Sequence, residues 1–404
     1  MTPSNHVLLA DCFTRSGLAI ARSLGRHGLK VVAVSRSTDN LVARSRYLES
    51  LHVGPDPVTA REEYAKFIAR ISEMIGATLV IPITDAALVA LDEHRDHLPA
   101  TVPLALPGRD AIAGILDKRR NLAMAHDLGV PCPREYAFSS RAQTADMIAT
   151  LGFPLVVKDP TPNTLELENP LPFRVAIARD EPELEKLLDI VDRSDAEPLF
   201  QEYVRGDVVN ICSLAIGGEI VAIHAYVSRR RSAHEGIARE TIELNPRLAE
   251  YAKLMLQELR WTGVAHMQFL VDPATGDCGY METNGRFWAS TQGSINAGWD
   301  FPWWFYQAHV SGERPIVPPI KVGSRTVYRK ADIQHLLRHL AHGPALATGY
   351  SGRLSAIWQT LRDFRPGVHS DVWMWSDLKP AIWDILQLFS WMNIRKLFRV
   401  NRSD

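Results

Sequence analysis

The sequence predicts a chain of mixed class: an α/β unit with a parallel sheet at the N-terminus, followed by α+β lobes. Three observations predict it. His6–Ala10 and Lys30–Ser35 are short apolar runs separated by a stretch of helical spacing, a strand–helix–strand rhythm. A further apolar run, Thr78–Ile83, is followed by a helical pattern from about Asp85, as in a parallel sheet covered by helices. Beyond about residue 150 the strand-like runs are joined by short turns, at Gly217-Gly218 and at Asp272–Asp277, which is hairpin chemistry.

The chain has 404 residues, enough for two or three lobes. The expected division is 1–109, 110–204, 205–330 and a helical extension over 331–404. Formal net charge is −1, so no global field draws the chain to nucleic acid and none is expected as a partner. Cys12, Cys132, Cys212 and Cys278 are far apart and form no C-x-x-C pair. That spacing disfavours a zinc site or disulfide framework and reads as four small core residues in a reducing cytoplasm. No signal peptide and no membrane-spanning run of 18 apolar residues is read in the sequence.

In the N-terminal unit, the polar loop Asp11–Gly17 is expected to precede a helix over Leu18–His27. A dinucleotide cradle needs G-x-G-x-x-G after the first strand. This loop has one glycine, Gly17, so a nicotinamide cofactor is excluded. The character changes near Asp110. Asp117–Arg120 opens a helix that ends near Gly129, another helix covers Ser140–Leu151, and Phe153–Lys158 is a strand that stops on lysine. Asp159–Pro172 holds four prolines and reads as a loop. A helix over 181–192, a strand Pro198–Val204 and strands from Val208 to Val227 follow. Arg229–Arg239 reads as a basic loop, either facing the cleft and binding an acidic group or simply solvated.

The hairpin Val264–Asn284 carries the most chemistry. Ala265, Met267, Phe269 and Val271 alternate with His266 and Gln268, so the two sets take opposite faces. On the return strand Tyr280, Glu282 and Asn284 are expected to share one face. Pairing the arms brings Gln268, Glu282 and Asn284 together, three oxygen-bearing side chains suited to magnesium. So few protein ligands leave coordination positions for phosphate oxygens.

These residues carry a resemblance. Gln268-Phe269, Asp272-Pro273, Gly276 and Glu282-Thr283-Asn284-Gly285-Arg286 resemble the metal-binding signature of the ATP-grasp superfamily. Gln at the position of Gln268 is similar to the carbamoyl phosphate synthetase large subunit. The run Arg286–Ser290, then Ala297–Pro302, resembles bacterial carboxylate–amine ligases of this superfamily. Where the common pattern is N-P-R, this chain has Asn284-Gly285-Arg286, and Gly285 is expected to loosen the backbone before Arg286.

The resemblance implies an ATP-grasp fold behind a Rossmann-like N-domain, with ATP and Mg, or Mn in its place, between the last two lobes. It implies that Lys118 and Lys158 contact the nucleotide phosphates. It makes Gln201, Glu202 and Val204 the hinge that binds adenine, with Asp207 on the ribose. It assigns Gln268, Glu282 and Asn284 to the metal, and Arg286 with His266 to the transferring phosphoryl group and acyl phosphate. The activity implied is carboxylate–amine ligation on small molecules, and a homodimer is compatible with it. Two other readings stay open: phosphorylation of a carboxylate or carbamate like that of carbamoyl phosphate synthetase, and a catalytically silent nucleotide-binding protein.

The tail is aromatic and then basic. Trp373, Trp375, Trp383, Phe389, Trp391 and Phe398 surround the apolar run Ala381–Met392, and Arg395, Lys396, Arg399 and Arg402 follow. It reads either as a terminal helix packed on the N-domain or as a helix resting on an anionic membrane.

Overall fold

A computed structural model of the chain describes residues 5–98, 104–159, 168–231, 236–342 and 352–389. Three sheets organise them. The first holds β1 (His6–Ala10), β2 (Lys30–Ser35), β3 (Leu48–Val53) and β4 (Leu79–Pro82), parallel in the order β3-β2-β1-β4. Val7, Leu8, Leu9 and Ala10 are fully buried, because helices cover both faces of a parallel sheet and leave no solvated side. The first helix is Arg15–Arg26 and not Leu18–His27: the Thr14 hydroxyl accepts from Gly17 N and starts the helix three residues early. The helix Arg61–Ile75 and strand β3 lie in a stretch to which the sequence reading assigned nothing.

The second sheet is small and antiparallel, β5 (Glu135–Tyr136), β6 (Leu155–Lys158), β7 (Val175–Ala178) and β8 (Leu199–Glu202), ordered β5-β8-β6-β7. It has its own core of Met147, Leu155, Val157, Leu184, Leu188 and Phe200 under the helices Thr144–Leu151 and Glu181–Val191. The helix expected over Asp117–Gly129 is Lys118–Asp127, opened where Asp117 turns extended and caps Arg120 N, and a separate helix, Arg109–Leu116, precedes it.

The third sheet has seven strands: β9 (Asp207–Ile216), β10 (Glu219–Arg231), β11 (Gly236–Ile242), β12 (Gly263–Val271), β13 (Cys278–Asn284), β14 (Arg325–Val327) and β15 (Val368–Ser370). Their order is β13-β12-β9-β10-β11-β14-β15, antiparallel except for the β14–β15 pair. The C-terminal extension is therefore not wholly helical; it contributes an edge strand. One face of the sheet packs Ile211, Ala265, Met267 and Phe269 against the helix Pro246–Glu258. The other face shares a core with the first unit, in which Leu18 and Leu24 meet Trp288, Phe301 and Trp304. The first and third sheets thus form one packed body, and the small lobe, with its separate core, stands across a cleft from the β13 edge.

The basic stretch is not a loop. β10 runs to Arg231 and β11 starts at Gly236, with 232–235 outside the described residues. Arg230, 2% exposed, reaches Asp332 and Asp363, each at 2.7 Å. Arg239 and Arg15 both bond Oδ2 of the buried Asp371, at 2.7 and 2.8 Å. Arg229 pairs with Glu240 at 3.1 Å. Most of these charges fasten the extension to the sheet and are not free for an acidic substrate. Arg22 likewise holds Asp377 at 2.8 Å and the Val372 carbonyl at 2.9 Å, pinning the extension to the first helix.

The tail helix is Lys379–Leu386, followed by a short turn at Gln387–Phe389. Ala381 and Asp384 face inward, and Trp383 Nε1 donates to Asp39 at 3.2 Å, so this part packs on the N-terminal unit. Trp391, Phe398 and the basic residues after them lie outside the described residues. Among the described residues no helix is long and apolar enough to cross a membrane.

Candidate active site

The register of three neighbouring strands builds the site. β12 pairs with β13 so that Gln268 faces Glu282 and His266 faces Asn284. β12 pairs with β9 so that Gln268 also faces Asn210 and His266 faces Cys212. Directly opposed residues in an antiparallel sheet point to one face. Glu282, Gln268 and Asn210 therefore form a row across three strands, with Asn284 and His266 in the next row. Asn284 Nδ2 donates to Glu282 Oε1 at 3.1 Å.

Tyr280 does not share that face. The register slips between Gln268 and Phe269, so that Phe269 faces Tyr280 with Met281 as the extra residue. Such a bulge reverses the alternation. Tyr280 is buried among Met267 and Phe269, and its hydroxyl meets Asn121 and Thr283 on the helix side.

Asn210 carried no signal in the sequence because it sits inside a run of buried apolar residues. Its Oδ1 accepts from Gln268 Nε2 at 2.9 Å and pairs with His266 Nε2 at 3.0 Å. Holding the amide nitrogen of Gln268 leaves Oε1 of the same group free for the cleft. His266 is stacked between Tyr226 and Trp288, with centroids 6.2 and 6.1 Å away. Burial, and then the Arg286 charge, push its pKa down to about 3, so the ring is neutral at ordinary pH.

Gly285 is required by a close approach rather than by looseness. A Cβ there would lie 2.5 Å from Cη2 of the buried Trp261, whose Nε1 donates to the Val264 carbonyl. Arg286 beyond it is placed firmly: its Nε donates to Asp85 at 2.9 Å, linking the hairpin to the start of the helix Asp85–Glu93.

Lys158 closes β6 in the opposite lobe. Burial lowers its pKa, while the Glu282 carboxylate raises it and Lys118 lowers it, so the three charges sit within mutual reach. Lys118 Nζ donates to the Asp159 carbonyl at 3.4 Å. Among the described residues the Lys158 side chain has no hydrogen-bond partner. Lys158 thus faces the carboxylate of the three-strand row from the small lobe, and Lys118, on a helix packed against the third sheet, reaches the residue after β6.

At the hinge, Gln201 Nε2 donates to Glu135, while its buried Oε1 has no partner. The Glu202 side chain and backbone are both engaged by Arg134. Gly206 allows the strand behind to close in: a Cβ would lie 2.7 Å from the Val271 backbone. A cavity of about 290 Å³ lies against this segment, lined by Glu202, Val204, Arg205, Cys132, Cys278 and Asp272, among others. None of Lys118, Lys158, Gln268 or Glu282 lines it. Asp207 opens β9 and is exposed. The four cysteines are free thiols.

The donor set fits a nucleotide-bound divalent cation: one carboxylate, two amide oxygens and facing ammonium groups. It contains a single formal negative charge, and among the described residues no group of three or more His, Cys, Asp or Glu exists to hold a metal.

This architecture is the ATP-grasp fold, shared with solved enzymes that bind adenine nucleotides. The structure of purK, an N5-carboxyaminoimidazole ribonucleotide synthetase with ADP, matches at a TM-score of 0.64 with 14% identity, covering 84% of this chain and 86% of that one. The corresponding synthetase of Staphylococcus aureus matches at 0.63 with 14% identity over 84% and 86%. Biotin carboxylase of Campylobacter jejuni with an ATP analogue matches at 0.61 with 16% identity over 79% and 74%. No family profile matches the sequence, and no curated protein matches it by sequence alone.

Proposed function

We propose that the chain is an ATP- and magnesium-dependent carbon–nitrogen ligase. The γ-phosphoryl group passes to a carboxylate oxygen, giving ADP and an acyl phosphate. An amine then attacks the acyl carbon, phosphate leaves, and the nitrogen gives up a proton. The carrying observation is the row Glu282–Gln268–Asn210, beside Asn284, set opposite Lys158, with Lys118 within reach. Solved structures of the same fold support the reading, one of them a biotin carboxylase domain dimer in complex with MgADP and bicarbonate.

Glu282, Gln268 Oε1 and Asn284 would hold the metal. Magnesium, when bound, supplies positive charge to the phosphate oxygens. Lys118 and Lys158 bind the α- and β-phosphates. The Gln201–Val204 segment takes the adenine, with the unpartnered Gln201 Oε1 as an acceptor for its amino group, and Asp207 takes the ribose. Arg286 steadies the transferring group, with Asp85 fixing its guanidinium. His266 acts through Asn210 to orient Gln268 and does not itself touch the intermediate. A cytoplasmic site of action accords with four free thiols, and 109, 204 and 330 serve as divisions of the sequence, with the segment beyond 330 completing the third sheet through β15.

The test is a screen for ADP release over amino acids, small peptides, amino sugars and polyamines, each offered with carboxylate co-substrates. Release that needs both an acid and an amine supports ligation. Release with the acid alone and a trappable acyl phosphate favours simple carboxylate phosphorylation. ATP binding with no turnover on any pair would sink the ligase reading.

A further inference from the structure

The helix Arg353–Arg362 presents a face that the other described residues leave uncovered. Ala356 and Thr360 point inward. Leu354, Trp358 and Leu361, spaced four and three residues apart and so on one side, are 83%, 67% and 60% exposed. Phe364 just beyond the helix and Leu337 on the helix packed beside it are exposed too. Scattered exposed leucines need no explanation; a tryptophan flanked by two leucines on one stripe does.

Charge says what would cover it. Within 352–367 the basic residues are Arg353, Arg362 and Arg365, all exposed and none ion-paired among the described residues. The single acid in that stretch, Asp363, is 2% exposed and is consumed by Arg230 and Arg325. The stripe is therefore rimmed by uncompensated positive charge. A second copy docked by a two-fold axis would set those arginines against their own equivalents. A surface of anionic headgroups matches both features: the apolar stripe enters the acyl boundary and the arginines stay among phosphates.

We propose that Arg353–Arg362 is an interfacial helix that docks the protein on anionic lipid. It is distinct from the tail helix, whose described part is held on the N-terminal unit. It lies apart from every residue assigned to the nucleotide or metal, so the proposal stands independently of the ligase reading.

The experiment uses the full chain and vesicles of phosphatidylcholine alone or mixed with phosphatidylglycerol, with co-sedimentation as the readout. Binding is expected on the mixed vesicles only and should weaken with salt. Two variants carry the test: Leu354→Ser/Trp358→Ser/Leu361→Ser, and Arg353→Ser/Arg362→Ser/Arg365→Ser. Each should lower vesicle affinity by about tenfold or more, with nucleotide binding unchanged. Absence of binding to mixed vesicles, or variants that bind as the parent does, would overturn the proposal. So would light scattering that finds a dimer converted to monomer by the leucine and tryptophan changes, since that makes the stripe a protein interface.

Discussion

The seven-stranded sheet carries two polar regions, and they use charge in opposite ways. At its β13 edge, Glu282 is the one carboxylate in a row otherwise built of amides, and Lys158, which among the described residues has no ion-pair partner, faces it from the small lobe. Toward its β15 edge, Arg230 and Arg239 are buried, Arg325 is half-buried, and all three are tied to Asp332, Asp363 or Asp371. In sequence the second region is the more conspicuous, because Arg229-Arg230-Arg231 is a basic run. The structure spends it on holding a C-terminal extension. Charge density alone therefore does not mark a site; charge left without a partner at a cleft does.

The contrast can be broken by substitution. Removing the lone carboxylate by Glu282→Gln, or the facing cation by Lys158→Ala, should lower substrate-dependent ADP release by roughly 10²–10³-fold or more. Circular dichroism and the unfolding midpoint should stay as in the parent. Near-parental turnover in either variant would end the assignment. At the other region the effects should exchange. Arg230→Ala leaves Asp332 buried without its partner and Asp363 with Arg325 alone, and should cost about 3–5 kcal/mol in denaturant unfolding, while the folded fraction still binds ATP.

A subtler test concerns the metal. With one carboxylate and two nearby lysines, the residues alone do not favour a free dication, so the cation is expected to arrive with the phosphates. Manganese titration followed by electron paramagnetic resonance should show weak binding to the protein alone and strong binding with ADP. Asn210→Asp adds a second charge to the row and should raise nucleotide-free affinity by about tenfold, in line with a gain of roughly 1.4 kcal/mol. Tight nucleotide-free binding by the parent chain would contradict the charge argument.

The last expected effect is on acid stability. His266 and His224 have their pKa values pushed down by burial from 6.5 to about 3 and about 4. The unfolded chain binds these protons first as pH falls, so stability is complete above about 6.5 and drains away toward pH 4. Equilibrium urea unfolding across that range should show the decline, and His266→Gln should flatten part of it. A parallel decline in the variant would remove His266 from the account.

Much of the site was legible before any coordinates. Strand periodicity and the turn at Asp272–Asp277 were enough to bring Gln268, Glu282 and Asn284 together, since register follows from local pattern and turn length. The same reasoning misplaced Tyr280, because a one-residue bulge leaves no trace in alternation. It missed Asn210, because a polar residue inside an apolar strand acquires meaning only from the strand beside it.

What the sequence determined by itself was the succession of sheets, the polar positions of the hairpin and the lysine that ends β6. These depend on neighbours a few residues away. What only the tertiary structure decided was which charges are spent and which are free: Arg230 against Asp363, 133 residues apart, or Lys158 against Glu282 across two lobes. Burial and pairing are properties of positions brought together by folding, and a one-dimensional pattern contains neither.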